Sequence, residues 1–265
     1  MFMRSAITIS FSAAMLLGAL AGASANECPG NPNAIGTSRV ITVKPKDFPL
    51  VGSLQYQETV PLKNREVVLT FDDGPIPPYT STILDILAAE CVKATFFTLG
   101  VNVAETPDLV RRAHKEGHSI GTHTFNHPDL EKLTLDEAKK EIDLGIAVAT
   151  EALGNADDVA PFFRAPYLHI NKSLERHLLS RGLMVWSIDI DTEDWTEATE
   201  EQLVELTMKR LEQEGKGILL MHDIKPVTAR ALPMLLAELK RKNYRIVHVV
   251  PASRQPAKTT NIERR

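Results

Sequence analysis

The sequence predicts an α/β fold: a mostly parallel sheet, closed or nearly closed into a barrel, with helices outside it. Three observations carry this expectation. From Glu66 onward, short apolar β-prone runs alternate with helical patterns, and Gly or Asn often marks the return to a strand. Alternation of that kind puts helices on the faces of parallel strands. The chain of 265 residues, 43% hydrophobic and 24% charged, has the size and composition of one large domain with short extensions.

Taken in order, residues 1–25, "MFMRSAITISFSAAMLLGALAGASA", have a basic start at Arg4, an apolar middle and a small-residue end. "ASA" at Ala23 to Ala25 fits the cleavage pattern of a secretory signal, so cleavage is expected after Ala25. The apolar run is short for a bilayer span and lacks a far-side basic flank. No other stretch has the length and apolarity of a span, so the mature protein is expected to be exported, periplasmic or secreted. Residues 26–65 form a Pro/Gly/Asn-rich N-terminal extension expected to be irregular, and 251–265 read as a flexible tail. Export permits a disulfide between Cys28 and Cys91, while two independent thiols remain the alternative.

The strand candidates of the main domain, 66–250, are "EVVLTF", "KATFFTLG", "HSIGTH", "APFFRA", "LMVWSIDI", "GILLMH" and "YRIVHVV". Three helices carry start signals. Thr106 is the expected N-cap before Pro107, with Gly117 at the end of that helix. Thr134 with Glu137, and Thr199 with Gln202, stand in capping-box register. Leu135, Ala138, Ile142 and Ile146 share the expected buried face of the second helix, and Gly215 closes the third.

A formal net charge of −4 and the lack of a polybasic run argue against a nucleic-acid or anionic-membrane binder. The chemistry-bearing residues instead fall at strand ends. Asp72 and Asp73 follow the first candidate, His123 ends the third, Arg164 and Tyr167 follow the fourth, Asp191 the fifth and His222 the sixth. In a parallel barrel those ends gather on the C-terminal face, where active sites are built. His123 and His127, at i and i+4, can share one metal from a helical turn. Thr124 stands where a metalloprotease helix has its Glu, so the base must come from elsewhere. Neighbouring side chains on extended backbone point apart. One of the two Asp can therefore complete a His-His-Asp metal site while the other faces substrate as a base.

Together "TFDDGP", "HTFNH", "RAPY", "DTEDW" and "LMH" resemble, in order, the five motifs of the polysaccharide deacetylases, the NodB-homology group or carbohydrate esterase family 4. The resemblance covers roughly Glu66 to Val250. It implies a distorted (β/α)7-type barrel that removes acetyl groups from glycans with a divalent metal, Zn2+ or Co2+. By matched position it makes Asp73, His123 and His127 the metal ligands, Asp72 the general base and His222 the general acid. Arg164 would orient Asp72, and the Tyr167 backbone N–H would help form the oxyanion hole. Trp195 and Leu220 would line a slot for the acetyl methyl. "DTEDW" supplies the carboxylate partner of His222, with Asp191 preferred over Asp194.

The expected substrate is an N-acetylglucosamine-containing glycan: peptidoglycan, chitooligosaccharide or an exported polysaccharide. The alternatives are an O-acetyl esterase on xylan-like chains and a catalytically inactive glycan-binding protein. A glycosidase ranks low, since it needs two carboxylates flanking the bond at roughly 5–9.5 Å and leaves the His pair without purpose. His114, His118, His169, His177 and His248 read as surface or structural, Trp186 as core and Asn126 as a turn former. Oligomeric state is not legible.

Overall fold

Ten strands and seven α-helices follow one another in the computed structural model, among the described residues 28–252. In chain order they begin with β1 (Thr37–Val43), β2 (Leu50–Val51), β3 (Glu66–Asp72), α1 (Tyr79–Ala89) and β4 (Thr95–Thr98). Next come α2 (Gly100–Glu105), α3 (Pro107–Lys115), β5 (Ser119–Thr122), α4 (Leu135–Leu153), β6 (Phe162–Phe163) and α5 (Lys172–Ser180). The chain continues with β7 (Met184–Trp186), β8 (Ile190–Asp191), α6 (Glu200–Glu214), β9 (Gly217–His222), α7 (Pro226–Arg241) and β10 (Arg245–Pro251). The leader predicted over 1–25, its cleavage after Ala25, and 253–265 of the predicted tail lie outside the described residues. No helix among the described residues is long and apolar enough to cross a membrane.

All the strand pairings are parallel. From one side of β3 the ladder runs through β4, β5 and β6 to β7; from the other it runs through β9 to β8. Strands β7 and β8 are parts of one segment, 184–191, so the two ends of the ladder meet there and the sheet curls into a distorted barrel. The predicted strand "LMVWSIDI" is thus split, one half serving each end.

Strand β3 shows why the site lies where it does. All seven of its residues are buried, as a parallel strand covered on both faces requires. Val67, Leu69 and Phe71 point outward into a core with Ile83 and Leu84 of α1 and Leu235 and Leu239 of α7. Val68 points inward, against Phe97, Phe162, Trp186 and Ile218. Thr70 and Asp72 share the face of Val68 by strand alternation. Asp72 therefore looks into the barrel.

Several expectations change. The extension is not irregular throughout: β1 pairs with β10, and β2 pairs with β7. Thr37, Ile41 and Val43 are buried in alternation, a strand signal that the surrounding Pro, Gly and Asn obscured. Cys28 and Cys91 form a disulfide that ties the extension to the turn after α1. The Thr106 hydroxyl does not cap α3; it donates to the Pro75 and Asn102 carbonyls. Leu135 opens α4 but is 39% exposed, one turn beyond the buried stripe of Ala138, Ile142, Gly145, Ala149 and Ala152. The two capping boxes form as expected, and Gly215 ends α6 in the left-handed conformation.

Candidate active site

The C-terminal strand ends surround a cleft of about 510 Å³, whose walls include Asp72, Asp73, His123, His127 and His222. Tyr167, Trp195, Leu220 and Asp191 also line it. Every residue given a site role in the sequence except Arg164 and the alternative Asp194 thus reaches the cavity itself. Arg164 lies behind it.

Asp72 is the last residue of β3, and the Arg164 guanidinium reaches it across the barrel. Arg164 Nη1 donates to Asp72 Oδ1 at 2.7 Å and to the Thr70 hydroxyl at 2.8 Å, and Nη2 donates to the Ser187 carbonyl. The guanidinium lies over the Phe97 ring, 4.2 Å from its centroid. Arg164 is fully buried and Asp72 nearly so, which makes the pair mutually dependent. Burial pushes the Asp72 carboxyl up, while the charges of Arg164 and His222 and the Arg164 hydrogen bond oppose it. The guanidinium also fixes which Asp72 oxygen is engaged and leaves Oδ2 toward the cleft side, 4.0 Å from His123 Nε2.

Asp73 follows at φ 76°, and this left-handed step turns its side chain away from that of Asp72. The Asn102 amide holds the Asp73 carbonyl at 2.7 Å. Asp73 Oδ1 lies 3.4 Å from His123 Nε2 and 3.3 Å from His127 Nε2, and this buried oxygen has no hydrogen-bond partner. His123 Nδ1 lies 2.7 Å from the Arg164 carbonyl, which can only accept. The proton therefore sits on Nδ1, and Nε2 turns a lone pair toward Asp73. Burial drives the His123 pKa down to about 3, with His127 lowering it further against the raising effect of Asp73, so the ring is neutral. A carboxylate oxygen and an imidazole lone pair facing each other with no proton between them call for a cation. The three ligand atoms lie within 4.8 Å of one another, and a His-His-Asp set suits a borderline divalent ion such as zinc or cobalt.

The His pair does not sit on a helical turn, as its spacing suggested. It spans a loop in which Thr124 (φ 70°) and His127 (φ 61°) both adopt left-handed backbone. Helix α4 holds that loop. Glu141 accepts from the Asn126 backbone N–H at 2.8 Å and from its side-chain amide at 3.0 Å. Gly145 admits the Thr124 carbonyl, which would stand 2.6 Å from any added Cβ.

The partner of His222 is Asp194, which corrects the preference for Asp191. Asp194 Oδ1 lies 2.6 Å from His222 Nδ1, and Oδ2 accepts the His222 backbone N–H at 2.6 Å and the Thr228 hydroxyl. Asp191 is paired along β8 with Leu220, and its Oδ1 turns back to the Glu193 N–H. Glu193, at φ 55°, then reverses the chain and brings Asp194 beneath the imidazole. Burial alone would lower the His222 pKa. The Asp194 hydrogen bond and charge, with Asp72 and Asp73 adding, raise it to about 9.

Leu220 is nearly buried in the cleft wall, whereas Trp195 and Tyr167 are 57% and 61% exposed at its rim. The Tyr167 ring meets His127 edge-on at 4.6 Å. Trp186 is core, and Asn126 serves its loop as expected. His118 and His248 are buried and structural, bonded to the Ala94 N–H and Ser119 hydroxyl respectively. His169 pairs with Asp129.

Sequence reasoning missed Asp223. This buried carboxylate accepts from the Gly74 N–H at 2.9 Å and the Thr80 hydroxyl at 2.7 Å, clasping the turn that carries Asp73. Burial pushes it up to about 7. Its only signal was its position directly after His222. Glu141, with none beyond a helical position, was likewise missed.

A model of the polysaccharide deacetylase family matches residues 59–186. That span includes Asp72, Asp73, His123, His127, Arg164 and Tyr167; Asp194 and His222 follow it. The chain is 35% identical over 187 residues to a peptidoglycan-N-acetylglucosamine deacetylase, PgdA, of Listeria monocytogenes, covering 70% of this chain. It spans 38% of that relative's length. It is 33% identical over 218 residues to a peptidoglycan-N-acetylglucosamine deacetylase of Bacillus cereus, covering 80% of this chain and 76% of the other. Among solved structures, the peptidoglycan deacetylase Bd3279 of Bdellovibrio bacteriovorus superposes with a TM-score of 0.74 at 30% identity. That superposition covers 88% of this chain and 65% of the other.

Proposed function

The chain belongs to the polysaccharide deacetylase family, and from that premise we propose that it removes acetyl groups from N-acetylglucosamine-containing glycans, releasing acetate. The observation that carries this reading is one cleft holding a carboxylate braced by Arg164 and an imidazolium braced by Asp194. Those are the two groups that acid–base cleavage of an amide requires.

Asp73, His123 and His127 would hold a divalent cation, zinc or cobalt, which when bound supplies Lewis-acid polarisation of water and of the acetyl carbonyl. Asp72, oriented by Arg164, takes a proton from the attacking water. The Tyr167 backbone N–H donates to the developing oxyanion. Leu220 and Trp195 receive the acetyl methyl. His222, protonated below about pH 9, gives its proton to the departing amine nitrogen.

An amine leaves poorly unless protonated, whereas an alkoxide of a sugar departs more readily. An imidazole held charged by a buried carboxylate therefore favours N-deacetylation over the O-acetyl esterase alternative. Peptidoglycan heads the candidate polymers because it is named for the relatives described above; chitooligosaccharide, named for another relative at 32% identity, and an exported polysaccharide follow. A disulfide at Cys28–Cys91 and the secretory-type N-terminus support export to the periplasm or beyond.

The test is acetate release by residues 26–265 from peptidoglycan, chitooligosaccharides and acetylated xylan, after chelation and again with zinc or cobalt restored. Release from an N-acetylated substrate that stops on chelation and returns with metal supports the reading. Release from xylan alone replaces it with the esterase, and silence on all three with metal bound leaves a glycan-binding protein.

A further inference from the structure

Among the described residues lining the cleft, the Tyr167 hydroxyl, the Trp195 indole N–H and the Lys225 ammonium have no hydrogen-bond or ion-pair partner, and of these only Lys225 carries a charge. The other basic groups nearby are engaged. Arg164 is bound to Asp72, Arg210 to the Asp191 carbonyl and Glu193, and Arg230 to Glu200. Asp191 lines the same cavity but forms no ion pair with Lys225; its Oδ1 is turned to the Glu193 N–H. A half-buried lysine lining a ligand cavity, with no ion pair to its ammonium among the described residues, is poised for an anionic group on the ligand.

The position of Lys225 says where on the ligand that group would lie. Its backbone N–H donates to the His222 carbonyl at 3.2 Å, so a single turn joins it to the proposed acid, and Pro226 then opens α7. His222 gives its proton to the amine nitrogen, and that nitrogen stays on the sugar. The sugar ring must therefore sit on the His222 side of the cleft, where Lys225 is. Tyr167 packs instead against the metal-ligand candidate His127.

We propose that Lys225 is an anion-recognising subsite that selects glycans carrying a carboxylate on the acetamido sugar or on its immediate neighbour. The inference rests on the deacetylase reading and narrows its substrate class to an acid-bearing wall polymer rather than a neutral chitin-type chain. A lysine suits this task because its ammonium is a compact charge on a flexible stem, which tolerates a carboxylate whose position varies along a mobile polymer. A neutral chain would leave the ammonium desolvated and unpaired, so the same residue discriminates against it.

The experiment compares the metal-loaded wild type, Lys225→Gln and Lys225→Arg on one peptidoglycan tetrasaccharide. The glycan is offered with its carboxylates free and again as neutral methyl esters. Wild type is expected to favour the free acid about tenfold in kcat/KM, the size of one charge-assisted hydrogen bond. The preference should lie mainly in KM and shrink as salt is raised. Lys225→Gln abolishes the ratio and Lys225→Arg restores it. Equal use of acid and ester by wild type, or an equal loss on both in Lys225→Gln, overturns the subsite.

If neither glycan releases acetate, the deacetylase reading fails, and calorimetric binding of the same pair then decides the subsite alone. A tighter acid, with the advantage lost in Lys225→Gln, sustains it. Equal affinities, or no binding of either, reject it.

Discussion

His222 Nδ1 and Asp194 Oδ1 stand 2.6 Å apart, and the other Asp194 oxygen accepts the backbone N–H of the same histidine. One carboxylate thus fixes both the ring and the main chain that carries it. The raised pKa of His222, about 9 against an ordinary 6.5, sets the sign of two pH effects. Its proton is available for catalysis below about pH 9 and lost above it. The pair's contribution to stability is full below about pH 6.5 and fades as pH rises through about 9. Asp194→Asn should move the alkaline limb of kcat/KM down toward the ordinary histidine range. The pH profile, with NMR titration of the His222 ring, measures this; an unmoved limb would separate the limb from His222.

Base and metal roles divide between adjacent residues, so their variants should separate. Asp72→Asn is expected to keep bound zinc while acetate release drops by about 100-fold or more. His123→Ala should lose the zinc. Elemental analysis beside an acetate assay distinguishes them, and zinc retained in full by His123→Ala would break the ligand assignment.

Removing Arg164 strands a nearly buried carboxylate without its counter-charge. Arg164→Met should cost about 3–5 kcal/mol of folding stability, because the lost partner leaves Asp72 buried and uncompensated. Urea unfolding at neutral pH measures this, and a loss under about 1 kcal/mol would mean that water or another group rescues Asp72.

Asp223→Ala leaves the Gly74 N–H and the Thr80 hydroxyl without their acceptor, a cost of about 1–3 kcal/mol. The slackened turn carries Asp73, so zinc affinity should fall with stability. Gly74→Ala tests the same clasp from the other side, since its Cβ would stand 1.9 Å from Asp223 Oδ2. Zinc binding by competition with a chromophoric chelator, with both variants folded by circular dichroism, reads the effect. Unchanged affinity in both would confine Asp223 to stability.

Much of the site was legible because strand alternation and end position are local properties. The pattern of β3 buries Val67, Leu69 and Phe71 outward, and the same period turns Asp72 inward toward Arg164. Capping boxes at Thr134 and Thr199 were equally local and formed as expected. The extension was misread because one alternating strand sat among turn-forming residues, and only the edge offered by β10 makes it a strand. Asp223 and Glu141 carried no signature, since a carboxylate that accepts backbone N–H groups is recognisable only from what lies opposite it.

The sequence by itself determined the fold class, the strand-end placement of Asp72, Asp73, His123 and His222, and the chemistry their residue types allow. Tertiary structure alone decided which groups meet. Asp191 and Asp194 lie three positions apart in one acidic run, and composition cannot rank them. The pairing of β8 with β9 holds Asp191 beside Leu220, and the left-handed turn at Glu193 delivers Asp194 to His222. A hydrogen bond is satisfied over a few tenths of an ångström, a scale that periodicity along a chain does not reach.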